Sequence, residues 1–117
     1  MPYQVKRVYA EPGINDGLRI LVDRLWPRGL SRSDVLIDQW LKECAPSAGL
    51  RKWYGHDRGR WPEFKRRYFT ELRGHEEILV PIRVSARELR VTLLYAAADV
   101  ECNNAVALME YLTTHYI

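Results

Sequence analysis

Asp23, Arg24, Trp26 and Arg28 fall within six residues, in the stretch Leu18-Arg19-Ile20-Leu21-Val22-Asp23-Arg24-Leu25-Trp26-Pro27-Arg28-Gly29. Two guanidiniums this close, beside a turn with exposed backbone donors, form a fork suited to phosphate or carboxylate, because each presents several N–H groups and stays charged. A carboxylate beside them would orient such an anion or move a proton, as a general acid or base does. The same residues also have plain structural uses. Asp23 can cap a turn, one arginine can pair with it, and Trp26 can simply pack.

A second polar group follows the apolar run Thr92-Leu93-Leu94-Tyr95-Ala96-Ala97: Tyr95 itself, then Asp99, Cys102, Asn103 and Asn104. One asparagine suffices to cap a following helix. The other is free to hydrogen-bond a ligand or to hold the Arg/Trp turn against the strand. Asp99 would serve as a catalytic base only where burial raises its pKa. Cys102 at a helix start would ionise more readily, but no histidine is adjacent in sequence to complete a Cys-His pair.

The third group is His56-Asp57, in which Asp57 reads as a cap and His56 either as a surface histidine or as a lid residue that reaches a ligand. Gly-rich phosphate loops, Gly-x-Ser-x-Gly, His-Glu-x-x-His and EF-hand spacing are absent, and Cys44 and Cys102 have no metal-ligand spacing. No metal and no cofactor is expected.

The elements that must position these groups read as strand, helices, strand, helix. Val5 to Tyr9 alternates as a short strand, and Arg19 to Asp23 is a second, halted by Pro27 and Gly29. Ser31 or Ser33 is placed to cap a short helix carrying Ile37, Trp40 and Leu41, and Ser47 to cap another carrying Leu50, Trp53 and Tyr54. Trp61, Phe64, Tyr68 and Leu72 mark one face of a longer helix, with Pro62 tolerated in its first turn. Residues 75 to 88 look helical, but Pro81 would kink or split them. Arg90 to Ala97 is the clearest strand, apolar enough to be buried on both faces. Ala105 to Tyr116 is the closing helix, with Val106, Met109 and Leu112 or Tyr116 at core spacing.

A long crossover between the second and last strands makes them parallel neighbours. The expectation is therefore a single α/β domain over residues 1–117, with a small, mostly parallel sheet of about three to four strands flanked by helices. Parallel neighbours end on the same edge of a sheet, where open α/β sheets bind ligands. Asp23, Arg24, Trp26 and Arg28 then face Tyr95, Asp99, Asn103 and Asn104 across one crevice.

Net charge is +3, but it is uneven: residues 51 to 90 carry eleven Lys/Arg against six Asp/Glu, while residues 91 to 117 carry none against three. A nucleic-acid or regulatory module would use Arg51, Lys52, Arg60, Lys65, Arg66, Arg67 and Arg73 on phosphates, with Trp53 or Trp61 stacking on bases. The alternative use of such a run is a solvated helix face. Four tryptophans and seven tyrosines leave a protein-interaction or homo-oligomer module as a third reading, with the oligomeric state open. No segment approaches the ~20 apolar residues of a membrane span, and two scattered cysteines suggest reduced thiols, so no membrane partner and a cytoplasmic location are expected.

Leu21-Val22-Asp23-Arg24-Leu25-Trp26-Pro27-Arg28-Gly29, Ala45-Pro46-Ser47 with Leu50-Arg51-Lys52, and Thr92 to Ala97 with Asn103-Asn104-Ala105 together resemble the YeaO-like family of the domain-of-unknown-function 488 group. The resemblance runs from about Val5 to Leu112 and implies a compact α/β fold in a bacterial cytoplasmic protein. It brings no activity with it, although Asp23, Arg24, Trp26, Pro27 and Arg28 are among its motif positions. Members sometimes carry His where this chain has Asn104. The functional expectation is a small anionic ligand held in the strand-end crevice by Arg24, Arg28, Trp26, Tyr95, Asn103, Asn104 and His56. Enzymatic action on a nucleotide or small metabolite, through Asp23 or Asp99, is one form of it.

Overall fold

β1 (Tyr3–Arg7), β2 (Leu18–Leu21), β3 (Gln39–Trp40) and β4 (Val91–Tyr95) form one sheet, described here from a computed structural model that covers residues 2–33 and 35–115. All the pairings are parallel and the strand order is β1-β4-β2-β3. β4 is central and buried along its whole length, as its unbroken apolar sequence requires. Its register sets Val91 against both Tyr3 and Leu18, and Leu94 against both Lys6 and Leu21. The expected adjacency of β2 and β4 is therefore present, and every strand delivers its C-terminal end to the same edge.

The helices are α1 (Ala48–Tyr54), α2 (Trp61–Arg73), α3 (Val80–Ser85) and α4 (Asn104–Thr114). Ser47 accepts the Leu50 N–H to open α1, and Gly55 closes it in the left-handed conformation. Phe64, Tyr68 and Leu72, one turn apart, bury one stripe of α2, with Pro62 in the first turn. Pro81 splits residues 75–88 as expected: a 3₁₀ turn over Glu76–Leu79 precedes α3, whose first turn holds the proline, where a missing N–H costs nothing. Asn103 caps α4 by accepting the Val106 N–H at 3.0 Å.

All four helices pack on one face of the sheet, around Ile20, Val22, Val91, Leu93 and Tyr95. The opposite face, with Val8, Leu21 and Leu94, is covered by Trp26, Leu30, Val35, Ile37 and Trp40 from the irregular segment after β2. Here the expected short helix over Ile37 to Leu41 is corrected. Asp38 and Leu41 N–H donate to the Arg19 and Leu21 carbonyls, and the Asp38 carboxylate takes the Arg19 N–H, so edge pairing with β2 overrides helical spacing. Ser31 and Ser33 bond to each other instead of capping a helix. Strand bounds also move, β1 starting at Tyr3 and β4 ending at Tyr95; Tyr116 lies outside the described residues.

Asp16, two residues before β2, is buried and holds Arg19 and Lys6, and it also accepts the Gly13 N–H. Gly17 beside it has φ +65, and a Cβ there would lie 2.1 Å from the Arg90 carbonyl oxygen, so only glycine lets β2 enter against β4. Among the described residues no helix is long and apolar enough to cross a membrane.

Candidate functional site

β2 ends at Leu21, and the chain then leaves the sheet through Asp23. Its carboxylate accepts the Ala96 N–H at 2.9 Å and the Asn104 amide at 3.0 Å, while the same amide donates to the Val22 carbonyl at 3.1 Å. Trp40 Nε1 donates to the Asp23 carbonyl at 2.8 Å. Asp23 thus clips the ends of β2, β3 and β4 to the start of α4. Burial raises its pKa above the ordinary carboxylate value, against the pull of the Asn104 and Ala96 hydrogen bonds and of the Arg51 charge.

Beside this clip lies a cavity of about 460 Å³. Of the residues expected at a strand-end crevice, Asp23, Arg24, Trp26, Arg28, His56, Asn103 and Asn104 line it. Tyr95 and Asp99 do not. Tyr95 is a buried core residue of β4, so its ring packs among the helices. Asp99 is held by Arg58 through two 2.8 Å bonds and accepts the Glu101 and Cys102 N–H groups. The Arg58 guanidinium keeps its carboxyl far below the usual range, the reverse of what a base at that position requires.

Three guanidiniums line the cavity. Arg24 is steadied by the carbonyls of Pro46 and Ala45, each at 3.4 Å, which are neutral partners. Arg28 anchors its segment through its own carbonyl, which accepts the Tyr9 hydroxyl at 2.8 Å, and leaves its side chain exposed. Arg51, exposed on α1, is the third. Among the described residues none of the three forms an ion pair. Among the described residues Asp23 is the one carboxylate in the lining.

Sequence reasoning put Arg51 with the basic helix face. The structure puts it in the crevice, because capping by Ser47 fixes where α1 begins and its packing on α2 fixes which side faces the strand ends. Tyr9, Pro46, Tyr54 and Phe64 were also not foreseen as lining, and no local signal marks them, while Cys102, which the sequence places in the turn after β4, lines the cavity with Asn103 and Asn104. Tyr54 donates to the Cys102 carbonyl at 3.0 Å, and burial pushes its hydroxyl up to about 12. His56 has φ 59, a left-handed backbone that places it on the cavity rim directly after Gly55.

Four of the six other cations of the expected phosphate-binding face, Arg60, Lys65, Arg66 and Arg67, are paired with carboxylates. Arg66 and Arg67 both bind Glu63, whose carboxyl is drawn down to about 2 by their hydrogen bonds. Lys65 pairs with Glu110 at 3.1 Å and Arg60 with Asp57 at 3.7 Å, while Arg73 bonds Thr70 and Lys52 is exposed. Arg60 and Arg67 lie over the Trp53 ring, and Trp61 stacks on Phe64 with Lys65 above it. Among the described residues no cluster of three or more His, Cys, Asp or Glu is placed to hold a metal ion, and both cysteines are free thiols.

Residues 2–117 match the model of a family described as the inactive DUF488-N3 subclade, DUF488-N3i. The Escherichia coli K12 uncharacterized protein YeaO is 40% identical over 112 residues, which are 96% of this chain and 97% of that protein. The Mycobacterium tuberculosis uncharacterized protein Rv3073c and the Mycobacterium bovis uncharacterized protein Mb3100c are each 37% identical over 109 residues, 93% of this chain and 92% of theirs. No solved structure matches.

Proposed function

For a chain that belongs to the DUF488-N3i family, we propose a binding role: the strand-end crevice holds a small anion, phosphate or carboxylate, between Arg24, Arg28 and Arg51. The observation that carries this is the charge balance of the lining: among the described residues, three guanidiniums that form no ion pair stand against a single carboxylate. A guanidinium fork without an internal carboxylate is the arrangement that gains most from an incoming one. Asp23 acts as a positioning group, clipping the strand ends so that Arg24 and Arg28 leave the sheet toward the cavity. His56 on the rim, and Asn104 beneath it, supply further polar contacts.

The family's description as inactive favours binding without turnover. So does the setting of the two candidate acids, Asp23 bonded to Asn104 and Ala96 and Asp99 bonded to Arg58. Nucleic-acid binding along α2 has less support, since Glu63 and Glu110 already engage Lys65, Arg66 and Arg67, three of its four cations. The free thiols fit a reducing compartment, and we place the protein in the cytoplasm on that ground.

Isothermal titration with inorganic phosphate and sulfate tests the proposal. Replacing Arg28 and Arg51 together with Ala is expected to weaken binding by roughly a hundredfold, about tenfold for each charge-assisted contact, with melting temperature nearly unchanged because both side chains are exposed. Unchanged anion affinity in the double variant refutes it.

A further inference from the structure

We infer that the crevice takes a phosphate monoester attached to a planar aromatic body, with the size and chemistry of a nucleoside monophosphate, in preference to a bare inorganic anion. This rests on the anion reading above and goes further by naming what the anion is attached to. At about 460 Å³ the cavity lies in the ~300–1,000 Å³ range of sites that enclose whole small molecules, whereas phosphate has five heavy atoms. Most of the space is left for something else.

The walls say what that is. Beside the three cations stand four aromatic residues from four different parts of the chain: Tyr9 after β1, Trp26 after β2, Tyr54 in α1 and Phe64 in α2. Each of the three with a polar hydrogen has committed it to a backbone carbonyl. Tyr9 donates to Arg28 at 2.8 Å, Trp26 to Leu30 at 2.7 Å and Tyr54 to Cys102 at 3.0 Å. Apart from the lone pairs on the two phenol oxygens, what these rings have left to offer a ligand is carbon, and Phe64 has only carbon. Tyr54 and Phe64 are nearly buried, so Tyr9 and Trp26 supply most of the open carbon, against which water gains little and a flat ring gains burial and stacking. A sugar phosphate without a ring, polar all round, would leave the aromatic surface wet.

One further group gives the ring an orientation. The Asn104 amide nitrogen is committed to Val22 and Asp23, and its Oδ1 accepts no hydrogen bond among the described residues. That oxygen is an uncommitted acceptor on a residue of the lining, suited to a ring amino or N–H group. Cationic ligands are opposed by the three guanidiniums, so the body must be neutral and the charge must sit on the phosphate.

The full chain is titrated calorimetrically with AMP, GMP, CMP and UMP, and with ribose 5-phosphate, adenosine and inorganic phosphate. The tightest of the four nucleotides is expected to bind at least about tenfold more tightly than ribose 5-phosphate, adenosine or phosphate. Replacing the exposed Tyr9 with Ser is expected to weaken that nucleotide several-fold more than it weakens phosphate, whereas Tyr9→Phe, which loses only the hydroxyl bond to the Arg28 carbonyl and keeps the ring, is expected to retain the preference for nucleotide over phosphate, with melting temperature as the check on folding. Nucleotide, ribose 5-phosphate and phosphate binding equally would overturn this inference and leave the anion site standing. Adenosine binding as tightly as AMP, or no probe binding at all, would overturn both.

Discussion

Asp16 and Asp23 stand two residues before and two residues after the same strand, β2, and the structure uses them in opposite ways. Asp16 is surrounded by cations. Burial alone would raise its pKa, but hydrogen bonds from Gly13, Lys6 and Arg19 bring it down to about 2. Asp23 is bonded instead by neutral donors, the Ala96 N–H and the Asn104 amide, and burial raises its pKa. The cations at Asp16, Lys6 and Arg19, are therefore used up within the fold, whereas the arginines near Asp23 keep their charge for something outside it. Charge composition alone does not separate the two ends; the identity of each carboxylate's partners does.

The largest effect expected from this difference is on stability. Asp16→Asn leaves the buried Arg19 guanidinium without its counter-charge and should cost ~3–5 kcal/mol in denaturant unfolding. Asp23→Asn, which loses hydrogen-bond acceptance but strands no buried cation, should cost about 1–2 kcal/mol. Equal losses would erase the contrast.

The pH dependence sharpens it next, because the two shifts have opposite signs. The depressed Asp16 contributes stability that is fully present above its ordinary pKa near 3.8 and is lost as pH falls toward 2, so acid unfolding should be steep there and flattened in Asp16→Asn. The raised Asp23 is more easily protonated in the folded state and so favours folding as pH falls through its folded pKa. Its neutralisation also leaves the crevice more positive. Sulfate, whose charge is constant above pH 4, should bind more tightly as pH falls from 7 toward 4, and Asp23→Asn should reduce that dependence.

The smallest effects belong to α2. Arg66→Ala with Arg67→Ala should leave phosphate affinity unchanged in titration calorimetry, and Glu63→Gln should leave the denaturant midpoint nearly unchanged, since these pairs are solvent-exposed. A marked loss of anion binding in the α2 variant would move the site from the crevice to the helix face.

Much of this architecture was legible locally. β4 reads as buried from its own side chains, Ser47 and Asn103 cap the helices they precede, and Pro81 marks the split before α3, whereas β2 ends at Leu21, before the Pro27/Gly29 turn expected to halt it. The adjacency of β2 and β4 follows from crossover length and handedness, which is why Asp23 and Asn104 could be expected on one edge. What escaped was decided across distance. β3 is a strand only because the open edge of β2 offers hydrogen bonds to residues whose spacing is helical. Arg51 is a crevice residue only because α1 docks with that side toward the strand ends, and Asp99 is removed as a base by Arg58, forty-one positions away.

By itself, then, the order of residues determined the strands with strong apolar character, the helix starts, and the meeting of the Asp23 and Asn104 ends, because each of these depends on near neighbours or on topology. Which cations are engaged and which are available, and which aromatic rings become the walls of a cavity, was settled only in the folded molecule. Pairing and burial depend on groups far apart along the chain, and only packing brings them within reach of one another.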